Sequence, residues 1–358
     1  MTATLLPPSR PPSTTLEVTA AAVARGRVRR NLRRRVVVTV LAVLVAGVFV
    51  LSLLVGHTYY SPDEVLRVIL GERVDGATFT VGRLRLPRAV TALATGASFG
   101  LGGVTFQTML RIPLASPDVI GITSGAGAAA AFAIVILSLS GTAVSAMAIA
   151  ASLGVALLIY GLAYKDGVAG TRLVLIGIGM AAMLHSATFY VLSRATEWDR
   201  AEATRWISGS LNGSQWKDVV PVLLAMVVLV PTLLLQSRNL SMTRLGDDAA
   251  GALGVRVERT RATVVVAAVG LIAFATAAAG PIAFVAFLSG PIAARLVGGS
   301  ASLLVPAGLV GALLVLVADL CGQYAFSMRY PVGVVTGVLG APYLLYLIVR
   351  SNRAGGSW

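Results

Sequence analysis

Long runs of apolar residues without a charge dominate the pattern of this chain. From Val36 to Gly56 no residue is charged, and about 20 apolar residues suffice for a helix to cross the hydrocarbon core of a bilayer. Nine similar runs follow, at 89–108, 119–138, 143–163, 173–193, 219–236, 262–279, 281–298, 303–326 and 331–349. The pattern therefore predicts an all-α integral membrane protein with about ten transmembrane helices.

Glycine and proline mark special places within these runs. Gly280-Pro281 divides the seventh run from the eighth, and Gly290-Pro291 interrupts the eighth. Such breaks are tolerated at membrane depth only where protein or a watery cavity satisfies the freed backbone groups. The second run has small residues from Gly96 to Gly103, and the third has them from Gly121 to Gly127. Small residues four apart favour close helix packing over a substrate-lining role.

The composition agrees with a membrane domain and separates it from two short tails. The chain is 56% hydrophobic and 12% charged, whereas soluble domains carry about a quarter charged residues. Residues 1–24 are rich in Pro, Thr and Ala, which predicts disorder. We therefore expect a largely disordered, Arg-rich tail at 1–35, a transmembrane domain at 36–350 and a second tail at 351–358. The first run is too long for a signal peptide and is better interpreted as an uncleaved anchor.

The positive charge is distributed as in an oriented membrane protein. The net charge is +14, and a cluster of seven arginines lies directly before the first run: Arg25, Arg27, Arg29, Arg30, Arg33, Arg34 and Arg35. With both termini cytoplasmic, 19 Lys and Arg residues lie inside and 10 outside, which is the positive-inside bias. The sequence thus predicts a multi-pass membrane protein with both termini in the cytoplasm. Nucleic-acid binding is disfavoured, because no aromatic or base-reading elements accompany the basic residues.

The chain has no recognisable catalytic or metal-binding constellation. Cys321 is the single cysteine, the two histidines are far apart, and the GxxxxGK[ST] phosphate loop is absent. We therefore expect no enzyme activity, no metal site and no directly bound cofactor, so that any ATP is bound by another chain. An ion-coupled secondary transporter is the alternative class. It should carry several intramembrane acid/base residues, yet Asp319 is the only acidic residue deep in a run.

Several motifs follow one another along the chain: Leu84–Arg88, Pro113–Gly121, Trp206–Asn212, Leu245–Val255, Gly254–Arg261, Gly280–Val285, Pro331–Gly337 and Gly340–Tyr343. Together they resemble the FecCD/BtuC-type permease subunits of bacterial ABC importers for iron–siderophores, haem and vitamin B12, which lie in the bacterial cell membrane. The likeness is greatest to the ferric-enterobactin branch, through Trp206–Asn212 and Gly254–Arg261.

The resemblance implies a type II ABC importer permease that dimerises around a central pathway. It implies cytoplasmic ATPase subunits, which bind the ATP, and an extracytoplasmic substrate-binding protein. A related but non-identical second permease is favoured, and a homodimer is the alternative. The implied substrate is a ferric siderophore, with vitamin B12 and haem as alternatives.

The loop at 237–261 is the candidate contact with the ATPase. Gly246 should break the chain and Asp247 should cap a short helix, whose acidic first turn suits the helix dipole. The stretch also resembles the EAAxxxG pattern of importer subunits, with Asp248 in place of Glu. The candidate coupling residues are Gly246, Asp247, Asp248, Ala249, Ala250, Gly251, Leu253 and Gly254.

Four further residues are candidates at or within the runs. Arg85 and Arg88 precede the second run, and the resemblance implies that they dock acidic side chains of the binding protein. Anchoring at the lipid headgroups is the alternative role. Asp319 must face protein or water, and Arg88 or Arg329 could pair with it. Both Asp319 and His185 could line the pathway or be structural.

Overall fold

The computed structural model describes residues 13–56, 58–112, 116, 118, 120–164, 170–298 and 302–353. Every regular element in these ranges is helical. A π-helical turn at Thr80–Arg85 precedes α4, and a 3-10 turn at Thr243–Leu245 precedes α11. In chain order the helices are α1 Ser13–Leu54, α2 Pro62–Ile69, α3 Ala77–Phe79, α4 Leu86–Leu110, α5 Ile122–Val135, α6 Thr142–Ala163, α7 Gly170–Ser193, α8 Glu197–Ile207, α9 Trp216–Leu235, α10 Ser237–Met242, α11 Asp247–Ala252, α12 Val257–Ala279, α13 Val285–Val297, α14 Leu304–Tyr324 and α15 Val332–Arg353.

Ten of these helices are apolar and coincide with the ten runs. Seven described segments are long and apolar enough to cross a membrane, and α5, α13 and α15 supply three shorter apolar helices. The all-α membrane fold expected from the sequence is therefore confirmed. The remaining short helices, α2, α3, α8, α10 and α11, lie in the connections.

The two tails differ from their prediction where the structure describes them. Residues 13–24 were expected to be disordered but form the first turns of α1, and residues 351–353 continue α15. Alanine is the best helix former, and 20–22 is an alanine triplet. Extending an existing helix avoids the cost of nucleation, so this tail follows the membrane helix. Residues 1–12 and 354–358 lie outside the described residues.

Helix α4 forms the centre of the bundle and packs against α9, α12, α13 and α14. A Cβ atom added to Gly96 would lie 2.5 Å from the carbonyl oxygen of Gly311 in α14. One added to Gly103 would overlap the backbone of Ala286 in α13. The backbones can approach this closely only because these positions are glycine. The packing role predicted for the small residues of the second run is confirmed.

The two Gly-Pro pairs behave differently. Gly280, at φ 70°, ends α12 as expected. Gly290-Pro291 was expected to interrupt the eighth run, but α13 continues through it. A proline lacks the N–H that would bond the carbonyl four residues earlier, which here belongs to Phe287. The side-chain amide of Gln107 donates to that carbonyl at 2.9 Å and so replaces the missing donor.

One arginine of the N-terminal run fastens α1 to the bundle. Arg33 donates to the carbonyl oxygens of Leu296 and Arg295, at 3.0 and 3.1 Å, at the C-terminal end of α13. The last carbonyls of a helix have no partner within it, so a cation there is favourable. Arg33 therefore has a packing role in addition to any role in orienting the chain.

Candidate functional site

The first candidate cluster lies at the end of the bundle where α4 begins, which we call the Arg88 end. Arg88 forms a two-pronged ion pair with Asp319 of α14: Nη2 lies 2.7 Å from Oδ1 and Nε lies 2.9 Å from Oδ2. Gln323 donates to the same carboxylate at 2.8 Å, and Arg88 Nη1 donates to the side-chain oxygen of Asn212 at 2.7 Å. The side chains of Arg88 and Asp319 are 18% and 6% exposed. Of the two arginines expected as possible partners of Asp319, Arg88 forms an ion pair with it.

The side chain of Arg85 lies against the C-terminal end of α1. Its Nη1 donates to the carbonyls of Leu53 and Leu54, at 2.9 and 3.1 Å, and its Nη2 donates to that of Thr58 at 2.6 Å. The guanidinium also lies 5.2 Å from the centre of the Tyr60 ring. Arg85 therefore satisfies backbone groups that the last turn of α1 leaves without partners.

Both arginines predicted to dock a binding protein are thus engaged within the chain. Their docking role stays a prediction, and the geometry adds a structural role for each. The hydrogen bonds of Arg85 to Thr58 and of Arg88 to Asn212 are exposed, whereas the ion pair of Arg88 with Asp319 is largely buried.

A polar cavity of about 350 Å³ lies beside Asn212 at the same end. Arg205 and Lys217 line it together with Glu202 and Asp218, so that its charged side chains balance. The loop that carries Asn212 is fixed by backbone bonds from Ser210 to Ala279, at 2.7 Å, and from Gly333 to Gly209, at 3.1 Å. This loop is therefore fastened to the end of α12, the start of α15 and, through Arg88, the start of α4.

The second cluster lies at the opposite end of α4, which we call the Asp247 end. Asp247 is the first residue of α11, and its two carboxylate oxygens bind different arginines. Oδ1 accepts from Arg111 Nη2 at 2.7 Å, and Oδ2 accepts from Arg261 Nη2 at 2.9 Å. Asp247 was expected to cap α11, but the N-cap is Gly246 and no side chain caps this helix. The carboxylate instead connects α11 to Arg111, which follows α4, and to Arg261 of α12.

Helix α11 confirms the short helix expected in the loop 237–261. Ala250 packs inward, whereas Asp248, Ala249, Gly251 and Leu253 are exposed, as is Gly254. A Cβ atom added to Gly251 would have no neighbour within 4 Å. The helix therefore presents a surface of small residues away from the bundle.

His185 is exposed on α7, and its Nε2 lies 3.4 Å from the Ser124 hydroxyl of α5. Most of α7 is exposed although it is apolar, with Met183 and Phe189 among the exposed side chains. Such a face is available to lipid or to another subunit. Whether His185 or Asp319 meets a transported solute stays a prediction.

Sequence reasoning missed the partners that complete both clusters. Arg111 and Arg261 were not singled out, and Asn212 was noted only as part of a motif. Arg111 had a detectable signal, because it is the first charged residue after the second apolar run and a cation at a helix C-terminus is favourable. Asn212 and Asp319 are both distant from Arg88 along the chain. The sequence pattern therefore did not predict Asn212 as a partner of Arg88, and it offered Arg88 only as one of two possible partners of Asp319.

Comparison with known proteins gives consistent results. Residues 42–350 match the FecCD transport family. The chain is 38% identical to the achromobactin transport system permease protein CbrC of Dickeya dadantii, over 92% of this chain and 96% of that protein. It is 38% identical to the ferric enterobactin transport system permease protein FepG of Escherichia coli, over 89% of this chain and 98% of that protein.

A solved structure has the same architecture. An inward-facing metal-chelate type ABC transporter matches 87% of this chain and 98% of its own chain, with a TM-score of 0.78 and 26% sequence identity. The helical arrangement is thus shared along nearly the whole of that chain.

Proposed function

The chain belongs to the FecCD transport family, and we propose that it is the permease subunit of an ABC importer that carries a ferric siderophore into the bacterial cytoplasm. Its relatives are permease proteins of transport systems, so it is a multi-pass transport component of the membrane and not an enzyme. The likeness to the ferric enterobactin permease protein, over nearly the full length of both chains, carries the choice of substrate.

In this proposal the Asp247 end faces the cytoplasm and the Arg88 end faces outward. The arginine run at the start of α1 supports this orientation, because basic residues favour the cytoplasmic side. The exposed small residues of α11 then enter a cleft on an ATPase subunit, which binds and hydrolyses ATP. The exposed apolar face of α7 suits contact with a second permease, of which a related, non-identical subunit is favoured.

Uptake measurements in a deletion strain test the substrate. Without this gene, uptake of radiolabelled ferric enterobactin should fall to background under iron limitation, while uptake of haem and cobalamin continues. The physical reason is that so large and polar a complex does not cross the hydrocarbon core of the bilayer without a permease. Restoring the gene should restore uptake. Normal ferric siderophore uptake with lost cobalamin or haem uptake would reject the ferric siderophore and leave the permease role intact.

A second measurement tests docking at the Arg88 end. If a carboxylate of the binding protein approaches the exposed side of Arg88, it competes with Asn212 for Nη1. Asn212→Ala should therefore tighten binding of the binding protein by about threefold, since one charged hydrogen bond no longer has to be exchanged. Binding should also weaken as salt is raised.

Surface plasmon resonance on permease complexes in nanodiscs can measure both effects. Gln215→Ala, a nearby exposed amide, is the matched control and should bind as the wild type does. Equal affinities for all three proteins, without salt dependence, would remove Arg88 from the docking surface.

A further inference from the structure

Asp247 is placed to do more than begin a helix. Its carboxylate joins three parts of the chain: α11, the C-terminal end of α4 through Arg111, and α12 through Arg261. The side chain of Arg261 is only 10% exposed, whereas those of Arg111 and Asp247 are 44% and 48% exposed. Hydrogen bonds between ionised groups are roughly twice as strong as those between neutral groups. This arrangement is a clamp, and we use that name for Asp247, Arg111 and Arg261.

Packing alone does little to hold α11. The helix has six residues, and Ala250 is its buried residue. A helix of this length is not stable by itself in water. Its direction relative to the bundle therefore depends on the flanking chain and on the clamp.

The backbone at Arg111 is also unusual. Arg111 follows the last residue of α4 in the left-handed conformation, with φ 58° and ψ 26°. Residues other than glycine, asparagine and aspartate rarely adopt it, because Cβ crowds the backbone. In this conformation the side chain of Arg111 donates to Asp247. The energetic cost of the left-handed backbone is therefore found at a residue that makes a specific contact between helices.

The geometry points to Asp247 as a positioning residue that ties the ATPase-contacting helix to the two central helices α4 and α12. The inference rests on the proposed function of α11. In it, movement of the ATPase cleft displaces α11, and the clamp passes that displacement to α4 and α12. Asp248, on the adjacent exposed position, forms no ion pair with any residue that the structure describes, so only one of the two aspartates has this role.

Hydrogen exchange on the permease alone, in nanodiscs, tests the clamp without any ATPase. Asp247→Asn keeps the size of the side chain and removes its charge. The amides of α11 should exchange about threefold faster, because two charge-assisted hydrogen bonds are lost and each of them is weakened by the half-exposed Asp247 carboxylate. Asp248→Asn, with the same change of charge one residue away, should leave the exchange unaltered. Equal exchange in Asp247→Asn and the wild type would overturn the clamp.

Transport per ATP hydrolysed tests its consequence in the reconstituted complex. Radiolabelled ferric enterobactin serves as the probe, replaced by haem or cobalamin if uptake identifies one of those. Asp247→Asn should still copurify with the ATPase but should transport about tenfold less substrate per ATP. Arg111→Gln should reduce coupling less, because the pair between Asp247 and Arg261 remains. The double variant should be no worse than Asp247→Asn, which already breaks the contact with Arg111.

The outcomes separate the clamp from the function on which it rests. Full coupling in Asp247→Asn, or additive effects of the two changes, would overturn the positioning role. If the wild-type permease itself recruits no ATPase, the proposed function fails and transmission by the clamp fails with it, whereas the exchange result still decides whether the clamp exists.

Discussion

Replacing Asp319 with alanine should destabilise the permease by about 3–5 kcal/mol, which is the usual cost of removing one partner of a buried ion pair. The change leaves the charge of Arg88 largely withdrawn from water, with the neutral side chain of Asn212 as its hydrogen-bond acceptor among the described residues. It also deprives Gln323 of its acceptor. Thermal unfolding of the detergent-solubilised protein, followed by circular dichroism, should show a much lower midpoint.

The chain offers a matched control for this experiment. Arg67 and Glu72 form an ion pair of 2.6 Å, similar in length to that of Arg88 and Asp319, but their side chains are 49% and 54% exposed. Exposed pairs contribute about 0–1 kcal/mol, so Glu72→Ala should hardly change the midpoint. Replacing Arg88 and Asp319 together with leucine should recover much of the loss, because no charge is left unpaired. An Asp319→Ala protein as stable as the wild type would show that the buried pair does not hold the Arg88 end together.

Replacing Gly251 with arginine should abolish transport while the permease folds normally. Because nothing lies within 4 Å of a Cβ atom at this position, the new side chain meets no neighbour in the permease. Arginine is also a better helix former than glycine by up to about 1 kcal/mol. On the ATPase side, however, a long charged side chain would hold α11 out of its cleft. Copurified ATPase should fall at least about tenfold, which requires a loss of only 1.4 kcal/mol in binding.

Gly251→Ala is the control for this change. A single methyl group fits the surface of small residues, so assembly and transport should match those of the wild type. Normal ATPase recruitment and transport by Gly251→Arg would show that α11 does not enter the cleft. In that event the contact with the ATPase would have to be sought elsewhere on the Asp247 end.

The ten transmembrane helices could be predicted because each must be apolar over the thickness of the hydrocarbon core in order to cross it. A segment without charges over about 20 residues has few alternatives to a membrane helix, and even the short α5 and α13 stood out. The small helices of the connections lacked this signal. Helix α8, for instance, begins with Glu197 and is polar along much of its length, so it was not expected.

The sites were predicted less completely, because they depend on contacts between distant residues. Because an ionised group is costly within a membrane, the sequence correctly predicted that Asp319 has a partner. That this partner is Arg88 follows from the packing of α4 against α14, which the sequence does not show. Asp247 was assigned a capping role from local preference, which is a weak effect. Two arginines from other helices outcompete that local interaction. Pro291 likewise suggested a break, but α13 continues through it, and Gln107, far away in sequence, donates to the carbonyl that the proline leaves without its usual donor.

Helix α4 carries Arg88 near its start and Arg111 just after its end, 23 positions apart. This separation corresponds to about 35 Å at 1.5 Å per residue. Inserting one residue between them would turn one arginine by about 100° relative to the other, so that Asp319 and Asp247 could not both be reached. Seven inserted residues would nearly restore the direction but would lengthen the helix by about 10 Å, a third of the hydrocarbon core. The number of residues between the two arginines is therefore fixed by geometry, whereas their identities are constrained only by packing.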